Sequence, residues 1–356
     1  MALRFRRGGD DEPPADEEVA GVPAAVPWAL AELLRDGPSP LRNRTPPESD
    51  ADVDVALVLG PADATPRAAG LPAELLRALR DEGIALRVVS AEEAEDDETP
   101  DDDPEAAADP EEDAAAIASR PHGAAALAGA DVVLAAGWSA APAVLTAPGL
   151  RARAVLATAD APPLAELGWA TGIPVLGPAW LGGELPAGVD AAYVPKPVHR
   201  REDLVLVHGE EPLGLLAAAE LARRRDDLTF AVSGVRSDLA LPFPFLGVGP
   251  GPEALAHAFA SATVAIAPPV RGWRPAALAM LACGQTVVAP DDAAARAALG
   301  DAAGYARGPL DAADEVERLV GDLTVRAERA RAGFALAPGG WTATAAALAV
   351  ALRDLP

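Results

Sequence analysis

Short apolar runs alternate with segments of helical periodicity along most of this chain. The runs VDVALVLGP (53–61) and IALRVVS (84–90) flank LPAELLRALRDEG (71–83), in which apolar residues recur at helical spacing before a glycine. Beyond an acidic stretch the alternation resumes, with strands predicted at 130–137, 153–159 and 173–178. Strands that are almost wholly apolar and alternate with helices predict a parallel sheet covered on both faces.

A second unit of the same kind follows a proline-punctuated segment, VPKPVHRRED (194–203). Its strands are predicted at 204–209, 229–234, 263–269 and 286–291, with a turn-rich LALPFPFLGVGPG and, after the last strand, helices to the C-terminus. The pattern predicts two Rossmann-like, doubly wound α/β domains, 51–193 and 204–340, joined by a linker at 194–203 and followed by a helix at 341–356. Such folds bind ligands at the carboxyl ends of their strands, so we expect the site in the cleft between the domains.

Composition and charge narrow the classes of function. The formal net charge of −25 argues against nucleic-acid binding, which needs a stripe of Lys and Arg. Much of the excess lies in residues 1–50 and in residues 92–113, which hold fourteen acidic residues and no basic one. We predict that both segments are disordered, the second as a solvating insertion or else as an interaction segment.

The reactive residue types are sparse. A single cysteine, Cys283, is expected to be small and buried, and four histidines without ligand spacing make a structural metal unexpected. No apolar run reaches the roughly 18 residues of a membrane span, and the basic start is followed by acidic residues rather than by a signal sequence. We therefore expect a cytoplasmic protein without a transmembrane segment, a state compatible with peripheral membrane contact.

Four stretches, in their order and spacing, resemble GT-B glycosyltransferases of the family 4 type, and within them the rhamnosyltransferase-like branch. They are ADVVLAAGWSA (130–140) with TADAPPLAELG (158–168) and GPAWLGGEL (177–185), AGVDAAYVPKP (187–197), LPFPFLGVGPGPEALAHAFASATVAIAPP (241–269) and MLACGQTVVAPD (280–291). The resemblance implies the GT-B fold, with a C-terminal helix that crosses back to the first domain. It also implies transfer of a sugar from a nucleotide-sugar donor to a glycan or lipid-linked acceptor, with retention of configuration and without a metal or other cofactor.

The chain departs from this family where the chemistry would lie. Counting back from Cys283 and Gly284, the carboxylates of the family's Glu-x7-Glu motif correspond to Arg271 and Ala279. The loop HGEEPLG (208–214) is acidic where the family has an Arg and a Lys. A catalytically inactive GT-B relative that binds a partner protein or a nucleotide is therefore the alternative, and a sugar-nucleotide epimerase on the same fold is a third hypothesis.

The segment Arg271-Gly272-Trp273-Arg274 is the first candidate for donor binding. Its two arginines stand beside a predicted helix start and would form a cradle for a diphosphate, or else belong to an exposed loop. Trp273 would stack on a base or sugar ring, or else cap the edge of a core.

The ends of two strands of the second domain supply further candidates. Gly209 and Gly234 would let backbone amides approach a phosphate, or else form simple tight turns. Arg236 is the remaining cation with access to the cleft. His208 ends a strand and is a better catalytic candidate than His122, which is expected on the far side of a helix.

On the first domain, the resemblance implies an acceptor site. Its candidates at strand ends are Gly60, Trp138 and Ser139. Asp160 would act as a base or orient an acceptor hydroxyl, or else open the turn before two prolines.

Overall fold

The computed structural model describes residues 53–60, 70–90, 127, 129–137, 140–141, 144, 152–158, 174–236, 239–336 and 340–355. The two segments predicted to be disordered lie outside these residues. So do the predicted acceptor-site and catalytic residues Trp138, Ser139 and Asp160, and most of the helices predicted at 114–130, 139–150 and 163–172.

The first sheet has five parallel strands in the order β2-β1-β3-β4-β5. Its elements in chain order are β1 (Val53–Leu59), α1 (Ala73–Asp81), β2 (Ile84–Ser90), β3 (Val132–Ala136), β4 (Ala152–Leu156) and β5 (Val175–Leu176). The side chains of β1 explain the apolar runs of the sequence. Val55 and Leu57 join the hydrophobic cluster on one face of the sheet, while Ala56 and Val58 join the cluster on the other, and all four are buried.

The second sheet has six parallel strands in the order β11-β10-β9-β6-β7-β8. Its strands are β6 (Arg201–His208), β7 (Thr229–Ser233), β8 (Leu246–Gly247), β9 (Ala262–Ile266), β10 (Thr286–Pro290) and β11 (Ala303–Ala306). Its helices are α2 (Pro212–Arg224), α3 (Pro252–Ser261), α4 (Ala276–Ala282), α5 (Ala293–Leu299), α6 (Pro309–Gly321) and α7 (Leu323–Leu336). Apolar clusters cover both faces, so the predicted doubly wound architecture is confirmed.

Three strand predictions of the second domain need correction. β6 begins at Arg201, inside the segment predicted as linker, because its exposed polar start still pairs with β9 through Ala262. β11 lies where only helices were expected, since these four residues become a strand by pairing with β10. β8 lies in the segment predicted as turns, where two residues pair with β7.

The last helix, α8 (Thr342–Arg353), packs against the first sheet rather than the second. Leu348 and Leu352 are fully buried in the hydrophobic cluster that contains β1 and α1. Arg353 also donates a hydrogen bond to the carbonyl of Glu82 at 2.6 Å. The chain therefore passes from the second domain back to the first, and residues just before α8 lie close to the crossing.

Candidate functional site

The carboxyl end of β6 lies where the strand order of the second sheet reverses. β6 has β7 on one side and β9 on the other. After β6 the chain continues through β7 and β8 toward one edge of the sheet, and it then returns through β9, β10 and β11 toward the other edge. Doubly wound folds bind ligands in the crevice at such a point. The predicted residue His208 ends β6 and Gly209 follows it, so both occupy this position.

Gly209 and Gly234 form adjoining turns after β6 and β7. Their φ angles of 90° and 67° lie in the left-handed region, which favours glycine. The Gly209 amide donates to the carbonyl of Ser233 at 2.8 Å, and a Cβ at residue 234 would lie 3.1 Å from Cε1 of His208. The structure therefore accounts for both glycines by tight turns packed around His208.

His208 is held in a defined orientation. Its Nδ1 lies 2.7 Å from the hydroxyl of Ser233, and its ring meets Phe259 edge to face at a centroid distance of 5.7 Å. Burial lowers the pKa of His208, so the imidazole is neutral at pH 7. A neutral ring can exchange a proton or share a hydrogen bond with a ligand, but it adds no positive charge for a diphosphate.

Beside His208 lies a cavity of about 260 Å³. Its wall combines aromatic and charged side chains, which suits a ligand that has both ring faces and polar groups. The lining residues that bear on function are Asp190, Tyr193, His208, Phe259, Arg274, Ala279 and Trp341. The cavity therefore joins His208 and Arg274, two residues predicted from separate motifs.

Arg274 is surrounded by carboxylates. Its guanidinium pairs with Glu74 of α1, in the first domain, and its Nε lies 3.3 Å from Oδ1 of Asp190. The same Asp190 oxygen accepts a hydrogen bond from Nε1 of Trp341 at 2.8 Å. One guanidinium between two carboxylates leaves a formal charge of −1 on this group, so Arg274 is already compensated before any anion arrives.

Trp273 belongs to a core and not to a ligand surface. Its side chain is 2% exposed, joins the hydrophobic cluster of the first sheet, and donates from Nε1 to the carbonyl of Ala157 at 2.5 Å. Trp180, in the first domain, donates a second hydrogen bond to this loop, from its Nε1 to the carbonyl of Gly272 at 2.8 Å. The prediction that Trp273 stacks on a base or sugar is replaced by its alternative, because the side chain is buried in this cluster.

The other predicted donor residues lie outside the cavity wall. Arg271 is exposed at the start of the same loop. The guanidinium of Arg236 lies 3.3 Å from a carboxylate oxygen of Glu210, and the Arg236 amide donates to that carboxylate. The acidic loop after β6 therefore pairs with the arginine that follows β7. In the first domain, Gly60 is buried at the end of β1.

The cavity wall also includes Asp190, Tyr193, Phe259 and Trp341, which were not predicted as site residues. Asp190 and Tyr193 lie in the Gly-Val-Asp stretch, which the sequence analysis used as a marker of the fold. Tyr193 stacks on Phe259 at a centroid distance of 5.8 Å, and burial, together with the Asp190 charge, raises its pKa. The one available signal was the position of this stretch next to the predicted linker.

Several negative observations bear on the chemistry of this site. Ala279, at the second Glu-x7-Glu position, lines the cavity with a methyl group, so no carboxylate comes from that position. Cys283 is buried as predicted, and burial raises its pKa to about 12, so it is a thiol rather than a nucleophilic thiolate. Among the described residues, no cluster of three His, Cys, Asp or Glu side chains suits a metal, and no helix has the length and apolarity to cross a membrane.

Comparison with known proteins identifies the architecture. No protein-family model and no curated protein matches the sequence. Sucrose-phosphate synthase from Thermosynechococcus elongatus superposes with a TM-score of 0.54 at 13% identity, over 85% of this chain and 98% of that one. Anabaena HepE, solved in complex with UDP-glucose, gives a TM-score of 0.52 at 12% identity, over 83% of this chain and 98% of that one. A glycosyltransferase from Rickettsia africae gives 0.54 at 11% identity, over 85% and 98% of the two chains.

The chain has the GT-B fold. Two parallel sheets flanked by helices, with a last helix that returns to the first domain, fit this architecture, and the predicted fold class is confirmed. In GT-B terms, the cavity beside His208 lies at the carboxyl end of the second-domain sheet, and the segment 271–274 connects that cavity to the first domain.

Proposed function

We propose that this chain is a glycosyltransferase that moves a sugar from a nucleotide-sugar donor to a glycan or lipid-linked acceptor. The observation that carries the proposal is the cavity at the switch point of the second sheet, where His208, Asp190 and Arg274 meet aromatic side chains. Support comes from the fold, since Anabaena HepE holds UDP-glucose on the same architecture. The transfer is proposed to retain configuration and to need no bound metal.

Positioning and charge stabilisation would supply the catalysis. Arg274 would face the leaving diphosphate, and Arg271, exposed on the same loop, would add a second cation. The neutral His208 would share a hydrogen bond with the donor, because Ser233 already engages its Nδ1. Asp160 and the strand ends of the first domain would hold the acceptor, as the sequence analysis predicts.

A second candidate is a catalytically inactive GT-B protein that binds a nucleotide or a partner. Two observations favour it: Ala279 contributes no carboxylate to the cavity, and Arg274 is compensated by Glu74 and Asp190. Under this hypothesis the cavity binds a ligand without turning it over.

One experiment separates these candidates. The melting temperature and the rate of sugar release would be measured with UDP, GDP and ADP and with their glucose derivatives. A glycosyltransferase is expected to melt several degrees higher with its nucleotide and to hydrolyse the matching nucleotide-sugar slowly. His208→Gln should abolish the hydrolysis, and Arg274→Ala should also weaken the melting shift.

Arg307→Ala is the matched control, because Arg307 is 83% exposed and pairs with Asp291, apart from the cavity. A melting shift without hydrolysis would support the inactive relative. No shift with any nucleotide would exclude nucleotide-dependent transfer.

A further inference from the structure

The ion pair between Glu74 and Arg274 joins the two domains at the wall of the cavity. Glu74 lies in the first turn of α1, and Arg274 stands just before Pro275, the residue that caps α4. Arg274 lines the cavity, whereas Glu74 approaches it from the first domain. An anion that binds in the cavity therefore meets an arginine that already has a partner.

We infer that Glu74 is an intramolecular competitor for Arg274. A phosphate-bearing ligand binds more weakly than it otherwise would, because this carboxylate must first be displaced from Arg274. The inference rests on the proposed nucleotide-sugar site. It makes Glu74 a determinant of ligand affinity, although Glu74 is absent from the cavity wall. Glu74 and a phosphate are both negative, so Glu74 repels a phosphate that approaches Arg274, and it also occupies Nη2, one of the nitrogens that the phosphate could bind.

The backbone that leads to Arg274 is fixed in position. The residues before it are anchored on the first domain, through Nε1 of Trp273 on the carbonyl of Ala157 and through the carbonyl of Gly272 on Trp180. A phosphate that approaches this guanidinium therefore meets two carboxylates already beside it, Glu74 and Asp190.

Of those two partners, Glu74 is the one that can leave. Its side chain is 40% exposed on a helix surface, so a change of rotamer carries it into water. The Asp190 side chain is 23% exposed and is held by Nε1 of Trp341 at 2.8 Å. Displacement of Glu74 leaves a one-to-one Arg274–Asp190 pair, which is neutral and no longer repels a phosphate.

The test uses the full chain and titration calorimetry with UDP and with inorganic pyrophosphate. Glu74→Gln keeps the size of the side chain and removes its charge, and it is expected to bind both probes about threefold to fivefold more tightly than the wild type, the range of a partly exposed ion pair. The gain should shrink in about 0.5 M salt, since salt screens exposed charges. Glu74→Ala should give a gain of the same direction.

Asp81→Asn is the matched control. Asp81 is exposed at the other end of α1, so this variant makes the same charge change away from Arg274. Its affinity should equal that of the wild type. An equal gain in Asp81→Asn would overturn the inference in favour of a general charge effect.

The remaining outcomes distinguish the inference from the proposed function. If the wild type binds UDP and Glu74→Gln binds it no more tightly, the competition is refuted while the nucleotide site stands. If neither the wild type nor the Glu74 variants bind UDP or pyrophosphate, the inference and the nucleotide-binding proposal both fail. Melting curves of the ligand-free variants verify that each is folded.

Discussion

Residues 271–274 and 276–284 are adjacent in the chain but belong to different cores. In the second segment, Met280 and Leu281 are fully buried in a cluster of the second domain. In the first segment, Trp273 is buried in the cluster of the first sheet, and its hydrogen-bond partner lies 116 residues away in the chain. The helix follows from a local apolar pattern, whereas the loop is fixed by a partner in another domain. Residues 276–284 therefore belong to the core of the second domain, whereas residues 271–274 connect that domain to the first.

Among the variants that test this comparison, Trp273→Ala is expected to lower the free energy of unfolding most. It removes a buried indole and a hydrogen bond, so the free energy of unfolding should fall by about 3–5 kcal/mol. Met280→Ala should lower it by about 2–5 kcal/mol, but from within the second domain. Denaturant titration gives both values, and hydrogen exchange locates them: we expect faster exchange in β1 for Trp273→Ala and in β10 for Met280→Ala.

Trp273→Phe serves as the control for ring burial, because it keeps most of the apolar surface and loses only the Nε1 donor. Its loss should be clearly smaller than that of Trp273→Ala. If Trp273→Ala accelerates exchange in β10 and leaves β1 unchanged, the assignment of this loop to the first domain is wrong.

Gly188→Ala tests the packing of the segment that leads to the cavity. A Cβ at residue 188 would lie 2.2 Å from Cε3 of Trp341, a rigid ring that is 3% exposed. Either ring or backbone must shift, and we expect a loss of about 1–3 kcal/mol in the free energy of unfolding. Gly247→Ala is the control, since nothing lies within 4 Å of its Cβ position. Equal stability of the two variants would show that Trp341 does not pack against Gly188.

The pH dependence of stability reports on His208, at the rim of the cavity shared by the two segments. Burial lowers the pKa of His208 in the folded state, whereas an unfolded histidine titrates near 6.5. Below about pH 6.5 the unfolded chain binds more protons, so this group lowers the free energy of unfolding as the pH falls, by at most about 1.4 kcal/mol per unit. Above that pH its contribution is constant.

His208→Gln should flatten the fall in stability that begins below about pH 6.5, measured by denaturant titration at each pH. His257→Gln, at an exposed position of α3, is the control for loss of a histidine from the surface. An unchanged profile in His208→Gln would show that His208 is protonated as easily in the folded protein as in the unfolded one.

The local pattern of apolar residues was sufficient to predict the fold, but it predicted only some residues of the site. β1 and β10 were predictable because both of their faces are buried, which requires continuous apolar runs. β11 was not, because Ala303–Ala306 has no strand pattern of its own and depends on pairing with β10. The prediction of His208 at a strand end followed from a run that stops at a glycine.

The partners of Arg274 could not be predicted in this way. Its two carboxylates come from α1 and from the stretch before β6, and only the assembled domains bring them together. The sequence predicts a diphosphate cradle from Arg271 and Arg274, and the structure adds that Arg274 forms an interdomain ion pair with Glu74. Sequence pattern locates a strand end well, but it does not show which charges are already compensated.

Trp180→Phe is expected to have the smallest effect, and it isolates one hydrogen bond between the domains. The Nε1 donor of Trp180 reaches a neutral acceptor, the carbonyl of Gly272, so its loss should lower the free energy of unfolding by about 1 kcal/mol. Trp341→Phe loses a donor to the charged Asp190, and the loss should be about 1.5–3 kcal/mol. Denaturant titration compares the two variants. A larger loss for Trp180→Phe would mean that the hydrogen bond to Gly272 is stronger than the hydrogen bond to Asp190.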